Sequence, residues 1–475
     1  MRLSDIVPEA GEQEVSGFAI DHRKVVPGTV FGAFQGSVRN GEDFIPAAIE
    51  RGAIAVIARP EARVDGALHL ADAEPRRRFA LLAARFFAPY PEVTVAVTGT
   101  NGKTSTVEMA RQLWRMAGHR SASVGTLGVT TADDQVKTGL TTPDIVTFLH
   151  NMSGLKTMGI GHVAYEASSH GLDQYRTEGL PVRAAAFTNF SRDHLDYHQT
   201  MDAYFEAKMA LFERVVDADG AAVVWTGDPR SEEVVLRAKR RGLKVETVGP
   251  GGTLIDLQRQ SPSPLGQQLD LVHAGKPHLL KLPLIGAYQA ANVLTAAGLV
   301  LVTGGDWATT FAGMGRLSPV RGRLERAVIT RAGAPVYVDY AHTPDALEAA
   351  IAALRPHVAA EKGGRLITVF GAGGDRDEGK RPEMGAVAAR LSDLVIVTDD
   401  NPRSEDPAKI RAEVIAGAPG AREIGGRREA IAAAIADAGK ADIILLAGKG
   451  HETVQIIGER TLPFDDAAVA RECAA

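Results

Sequence analysis

The sequence predicts an α/β protein of three domains, and three observations carry that expectation. Apolar β-branched runs alternate with glycine-rich or polar turns and alanine-rich helical periods, which is the signature of largely parallel sheets. The 50 glycines suit tight turns between short buried strands and close-packed helices. The 475 residues, at about 150 per domain, give roughly three domains. Two composition breaks divide the chain into 1–88, 89–318 and 319–475. The first is Ala88-Pro89-Tyr90-Pro91, ahead of the strand-like Val93 to Val97. The second is Ser318-Pro319, ahead of Arg321 to Glu325.

Composition narrows the function. The chain is 45% hydrophobic and 23% charged, enough for sizeable cores, with 53 basic and 58 acidic residues and a net charge of −5. That balance argues against a nucleic-acid binder. Arg76-Arg77-Arg78 and Lys239-Arg240-Arg241 read as solvated helix faces. Cys473 is the one cysteine and lies near the C-terminus, so disulfides, multi-cysteine zinc sites and cysteine-held clusters are excluded. The charged N-terminal turns carry no export segment, and Gln289 and Asn292 interrupt the apolar run from Leu282 to Val302. The expectation is a cytoplasmic protein that binds no membrane. Gln260-Ser261-Pro262-Ser263-Pro264 is expected to be a loop.

The first informative element is Gly99-Thr100-Asn101-Gly102-Lys103-Thr104-Ser105, which follows a strand. Val107, Ala110, Leu113, Trp114 and Ala117 recur on one face of the helix it opens, and Gly118 ends that helix. This placement aims helix N-terminal amides and the Lys103 ammonium at one polyphosphate, with the Thr104 hydroxyl set for a magnesium ion. Val97 stands where the full Walker pattern has glycine, so the loop is a shortened variant. No Asn-Lys-x-Asp motif occurs, which favours ATP over GTP.

Three polar strand or helix segments come next. His162 to Glu166 ends in a carboxylate beside the phosphate loop, which reads equally as a magnesium ligand or a structural acid. Ala184 to Thr188 leads into Asp193-His194-Leu-Asp-Tyr-His198, and Tyr204 to Lys208 reads as a helix. The histidine pair alone suggests zinc, but no further ligands are evident. In the last third, Pro335–Asp339, Arg365–Phe370, Asp393–Thr398 and Asp442–Ala447 read as strands. Each delivers polar residues at its carboxyl end, where an open parallel sheet binds ligands.

Together these segments resemble the Mur ligase family along nearly the whole chain. The resemblance rests on Asp21-x-Arg23, Gly99 to Thr104, Glu166-x-Ser168-Ser-His-Gly171, Asp193 to His198, Tyr204 to Lys208, Gly322-Arg323-x-Glu325, Asp339 to Pro344, Gly374 to Asp377 and Lys449-Gly-His-Glu452. It implies a central P-loop-type parallel-sheet ATPase domain and a C-terminal Rossmann-like domain. An N-terminal domain would bind UDP-MurNAc-peptide. Asp400-Asn401-Pro402-Arg403 is similar to members that add meso-diaminopimelate to UDP-MurNAc-L-Ala-D-Glu; lysine-adding members usually lack that arginine. An arginine fork can grip the distal carboxylate that lysine lacks.

The resemblance further implies ATP, Mg2+ and a carbamate on Lys208. Lys103, Lys208, His194, Asp339 and His342 would be catalytic, and Thr104, Glu166, His194 and Lys208 would hold metal. ATP would meet Gly99 to Ser105, Asn292 and Arg323. His22, Thr141, Thr142, Ser168, Gln174 and Arg176 would contact the muramoyl peptide. Arg376, Asp400, Asn401, Pro402, Arg403, Gly448 and Glu452 would contact diaminopimelate. Asp339 and His342 are expected to pair, and the protein to be a monomer. Three positions differ from the family's usual residues: His22 for serine, Leu140 for asparagine and Gln289 for asparagine. The rival readings are a lysine-adding ligase, folylpolyglutamate synthetase and a non-catalytic nucleotide-binding regulator.

Overall fold

Short β-branched and alanine runs become buried strands, most of them parallel, because a strand covered on both faces must be apolar along its length. The computed structural model describes residues 1–475 except Glu9, Ser37, Val38, Lys137, Thr138, Pro264 and Leu265, and omits the side chains of Asp196 and Ala360. The described residues divide into two units, 1–257 with 291–313, and 258–290 with 314–475.

In the first unit, β1 (Gly17–Ala19), β2 (Thr29–Gly32), β3 (Ala53–Ala58) and β4 (Leu68–Ala71) form a parallel sheet in chain order. The helix Pro75–Phe87 buries Phe79, Ala80 and Ala83, and Phe79 meets Phe18 edge-on at 5.3 Å. This helix overturns the solvated reading of its arginine triplet, since all three are half-buried. Arg76 donates to Gln35 O (2.8 Å) and covers the Phe34 ring, Arg77 reaches the buried Glu178 (3.3 Å), and Arg78 donates to Ala71 O (2.7 Å). Neighbouring chain segments cover a face that helical periodicity alone assigns to solvent. Lys239, Arg240 and Arg241 are exposed, as expected.

A second sheet of this unit contains β5 (Val93–Thr98), β6 (Ser121–Gly125), β7 (Gly128–Thr130), β8 (Gln135–Val136), β9 (His162–Glu166), β10 (Ala184–Phe187), β11 (Ala221–Trp225) and β12 (Lys244–Gly249). The order is β12-β11-β10-β5-β9-β6-β7-β8, parallel from β12 through β6 and antiparallel for β7 and β8. Chain order reverses around β5, which is flanked by β9 and β10, and the carboxyl ends at such a switch point are where open parallel sheets bind ligands. The helix Lys103–Met116 buries Val107, Met109, Ala110, Leu113 and Trp114, and Gly118 ends it at φ 88°. β13 (Ile255–Ser263) pairs with β12 at Val248 and Gly249.

The second unit takes up β13 beyond Leu257, followed by the antiparallel hairpin of β14 (Gly266–His273) and β15 (Lys276–Leu282). Gln260 to Ser263, expected as a loop, is the end of β13; Pro264 lies outside the described residues. Serine and proline composition reads locally as loop, whereas the hairpin beside β13 supplies its pairing partners. The main sheet contains β16 (Glu325–Ile329), β17 (Pro335–Asp339), β18 (Leu366–Phe370), β19 (Leu394–Val397), β20 (Arg422–Glu423) and β21 (Ile443–Ala447). Its order is β16-β17-β21-β18-β19-β20, parallel except for the edge strand β16.

A hairpin of β22 (Val454–Ile457) and β23 (Arg460–Pro463) follows. Cys473 lies on the helix Asp466–Ala474, half-buried against apolar core. The apolar run near 282–302 becomes the helix Ala287–Val302, and among the described residues no helix is long and apolar enough to cross a membrane.

Candidate active site

The phosphate loop is held from below by the segment after β10. Thr100 N donates to Asn189 O (2.9 Å), Asn101 N to Asn189 Oδ1 (2.8 Å), and Thr188 Oγ1 to Asn101 O (2.6 Å). Ser191 N donates to Thr100 Oγ1 at 3.0 Å. Gly99 and Gly102 are required by geometry, with φ of 146° and 86°. A Cβ at Gly99 would run into Thr188 Oγ1, and one at Gly102 into Asn292 Oδ1, which places Asn292 against the loop. Lys103 Nζ donates to Gly99 O (2.9 Å) and Thr100 O (2.8 Å), while Thr104 and Ser105 are buried in the first helical turn.

Lys208 is only 1% exposed and joins the same loop, its Nζ donating to Gly99 O at 2.7 Å. The ammonium lies 4.2 Å from the centre of the Tyr204 ring, a cation–π contact. Burial and then the Lys103 charge hold its pKa well below the usual lysine range, against the opposing pull of Asp193. An amine in that position gives up its proton more readily than a solvated lysine. His194, at φ 52°, has Nε2 3.5 Å from Asp193 Oδ2 and its ring 4.9 Å from that of His170. Burial lowers its pKa, with Asp193 opposing and His170, Lys103 and Lys208 adding to the effect.

Glu166, at the carboxyl end of β9, is buried and accepts from Thr126 N (2.7 Å) and Thr126 Oγ1 (3.2 Å). Thr126 Oγ1 lies 3.1 Å from Thr141 Oγ1. From there a chain of bonds joins the other expected residues. Thr142 Oγ1 donates to Glu166 O (2.8 Å) and accepts from Ser168 N (3.1 Å), and Arg176 Nη1 donates to Thr142 O (2.8 Å). Arg176 Nη2 donates to Gln174 Oε1 (2.7 Å), and Gln174 Nε2 to Tyr197 OH (3.0 Å). Tyr197 OH donates to Asp173 Oδ2 at 2.6 Å. Gln174, Asp173 and Tyr197 line a cavity of about 600 Å³ with Gln35, Gly36, Arg39 and Arg76. His22 stands apart from this chain, stacked on Phe44 at 4.6 Å. Leu140 is exposed.

In the other unit, the strand ends of β17, β21, β18 and β19 assemble the remaining candidates. Asp339 accepts from Leu324 N (2.7 Å) and Ala341 N (2.9 Å), and burial pushes its carboxyl up to about 6 against the pull of Arg323. His342 turns Nδ1 to Tyr340 O (2.8 Å), so the expected pairing with Asp339 is not made. Both carboxylate oxygens are engaged by backbone amides, which no residue pattern announces. Arg323 stacks over Tyr340 at 4.8 Å, and Gln289, buried, donates to Arg323 O at 3.3 Å.

Asp400 and Asn401 are buried at the end of β19, and Asn401 Nδ2 donates to Glu452 Oε2 (2.9 Å). Arg403, at φ 52°, donates through Nη1 to Gly374 O (2.6 Å). Gly448, at φ 109°, has no room for a Cβ beside Asp400 Oδ2. Arg376 is exposed on the loop after β18.

Sequence reasoning gave no role to Thr126, Asn189, Arg76, Tyr197 or Lys449. Asn189, Tyr197 and Lys449 stood inside strand-end motifs that could have flagged them. Thr126 and Arg76 carried no local signal, because only the fold brings them to Glu166 and to the cavity.

Residues 97–300 match the Mur ligase middle domain, and residues 322–450 match the Mur ligase, glutamate ligase domain. Over 469 residues the chain is 57% identical to the UDP-N-acetylmuramoyl-L-alanyl-D-glutamate--2,6-diaminopimelate ligase of Zymomonas mobilis subsp. mobilis, covering 98% of this chain and 96% of that one. A solved structure of a UDP-N-acetylmuramoyl-L-alanyl-D-glutamate--2,6-diaminopimelate ligase superposes with a TM-score of 0.75 at 32% identity, covering 100% of this chain and 98% of that chain. The MurF ligase of Thermotoga maritima, solved in complex with ADP, shares the fold with a TM-score of 0.61 at 19% identity, covering 93% and 96%.

Proposed function

The chain belongs to the Mur ligase family, and we propose that it joins meso-diaminopimelate to the D-glutamate γ-carboxylate of UDP-MurNAc-L-Ala-D-Glu in peptidoglycan precursor synthesis. ATP drives the reaction and leaves as ADP and phosphate. The γ-phosphoryl group passes from ATP to the substrate carboxylate, giving an acyl phosphate. An amino group of diaminopimelate then attacks the carbonyl carbon, the C–O bond to phosphate breaks, and the amine releases its proton. Such enzymes act by placing the in-line partners and by stabilising charge.

The loop amides and Lys103 meet the β- and γ-phosphates, because the helix N-terminus and one ammonium converge there. Asn292, against Gly102, and Arg323 contact ATP. Thr141, Thr142, Ser168, Gln174 and Arg176 orient the peptide; Arg176, half-buried, supplies a cation for a substrate carboxylate.

The residues fit a magnesium ion shared with the nucleotide. Thr104 and Glu166 are hard oxygen donors at the loop, and among the described residues no group of three or more His, Cys, Asp and Glu forms an all-protein cage. Thr104 and Glu166 would hold one ion, and His194 with a carbamylated Lys208 a second. When bound, they offset negative charge on the transferred phosphoryl group. The low proton affinity of the Lys208 amine suits addition of CO2, with loss of one proton, to make an anionic ligand.

The observation that carries the choice of amino acid is Arg403, set by its left-handed backbone beside Asp400 and Asn401. Its guanidinium can take the distal carboxylate of diaminopimelate in a bidentate grip. The reading is of a cytoplasmic monomer. ATP hydrolysis measured with the nucleotide dipeptide and each diamino acid tests it. The expected result is turnover with meso-diaminopimelate; preference for L-lysine overturns the reading.

A further inference from the structure

Lys449 is fully buried, and its ammonium spends its three donors on Asn401 Oδ1 (3.1 Å), Glu452 Oε2 (3.2 Å) and Val454 O (2.7 Å). A buried cation persists only where its charge and every N–H are matched, and here they are. The same contacts leave Asn401 one way to face. Its Oδ1 receives Lys449 Nζ and Ile456 N (3.0 Å), while its Nδ2 donates to Glu452 Oε2 (2.9 Å). Turning the amide over would set N–H groups against two donors. Glu452 Oε2 thereby takes two bonds. Among the described residues Oε1 takes none, and the side chain is 28% exposed.

The hairpin that follows Lys449 completes the frame. Gln455 Nε2 donates to Asp400 O (2.7 Å), Arg403 N to Ile456 O (3.0 Å), and Gly458 N to Arg403 O (2.6 Å). Lys449 therefore links the end of β21, the Asp400 to Arg403 loop and β22 through one buried charge.

We propose that Lys449 is a positioning residue for the amino-acid site, holding Asn401 and Glu452 so that Glu452 Oε1 presents to an ammonium of the incoming diamino acid. The inference rests on the ligase reading above. Without Lys449, Asn401 keeps only Ile456 N on its Oδ1 and the Glu452 carboxylate loses one of its two anchors, so the geometry of the pair relaxes while the phosphate loop is untouched.

The test is a double-variant cycle of Lys449→Met and Glu452→Gln in the full chain, with KM and kcat for each substrate. Lys449→Met is expected to raise the KM for the diamino acid by about tenfold or more, the scale of a lost charged hydrogen bond. The KM for ATP should stay within about twofold, since the Lys103 loop is unchanged. The double variant should be no worse than Glu452→Gln alone, because the two residues act as one unit. Additive losses, or equal rises in the KM for ATP, overturn the proposal. If Lys449→Met yields no folded protein, Lys449→Arg enters the same cycle with the same scoring. The wild-type amino-acid preference separates the two claims. If wild type ligates another diamino acid, the ligase reading is corrected, and the cycle is scored on that substrate.

Discussion

Around the phosphate loop, the chain is positioned by tight glycine turns and by neutral hydrogen bonds between backbone groups and short polar side chains. Thr188, Asn189 and Ser191 bond to Thr100 and Asn101, and Gly99 and Gly102 leave no room for a side chain. Around Asn401 and Glu452, positioning falls to buried charges instead. Lys449 is one; Arg381, fully buried, reaches Glu405 (2.8 Å), Glu413 (2.6 Å) and Gly373 O (3.3 Å). Arg427 and Asp466 form a fully buried pair, and Arg427 Nη2 also donates to Ala447 O at 2.9 Å, directly before Gly448. The difference teaches where such an enzyme can vary. A neutral cradle that presents backbone amides suits a phosphate that never changes. A frame of side chains can be altered one residue at a time, which suits a site that selects among amino acids.

The largest expected effect lies on the phosphate side. Lys208→Ala should lower ligation by at least about 100-fold, the scale of losing a group that acts on transition-state charge. A short carboxylic acid should restore part of the rate, measured as product formed with and without the acid. Wild-type activity in that variant would remove Lys208 from the chemistry. On the other side, Arg403→Ala should mainly change selection. Loss of a charge-assisted contact of about 2 kcal/mol predicts a fall of about 30-fold in preference for diaminopimelate over lysine. A fall in ATP affinity with selection intact would erase the contrast between the regions.

The next effect sharpens the comparison through pH. Burial raises the Asp339 carboxyl from 3.8 to about 6, so the folded chain binds this proton more tightly than the unfolded chain. The stability from this group is complete below 3.8 and is lost as pH rises through about 6. Arg323 opposes the shift by favouring the ionised form. Arg323→Met should therefore lose more thermal stability at pH 8 than at pH 5, compared with wild type by melting at both. Equal losses would show that Arg323 acts by packing over Tyr340 alone. The smallest effect is expected at His22, which belongs to neither frame. His22→Ser should change the KM for the nucleotide dipeptide by no more than about threefold, since the half-buried ring packs on Phe44 and, among the described residues, makes no bond to either frame.

Much of the site was legible because parallel α/β sheets collect ligand-binding residues at strand ends, and each end carried a recognisable polar cluster. Glu166, Asp339, Asp400 and Gly448 all fall at or directly after the strands expected from apolar runs. The loop at Gln260 failed because a strand's pairing partner is invisible to local composition. The arginine triplet failed because exposure of a helix face depends on what else packs against it.

By itself the sequence determined the order of strands and helices, the phosphate loop and the residues that supply each charge. These depend on backbone preferences and side-chain chemistry within a few residues of one another. Only the tertiary structure decided that Lys208 lies against Gly99 O, that Asp339 bonds to amides rather than to His342, and that Lys449 orients Asn401 and Glu452. Burial, and with it proton affinity and hydrogen-bond direction, is set by residues distant in the chain that meet when the sheets assemble.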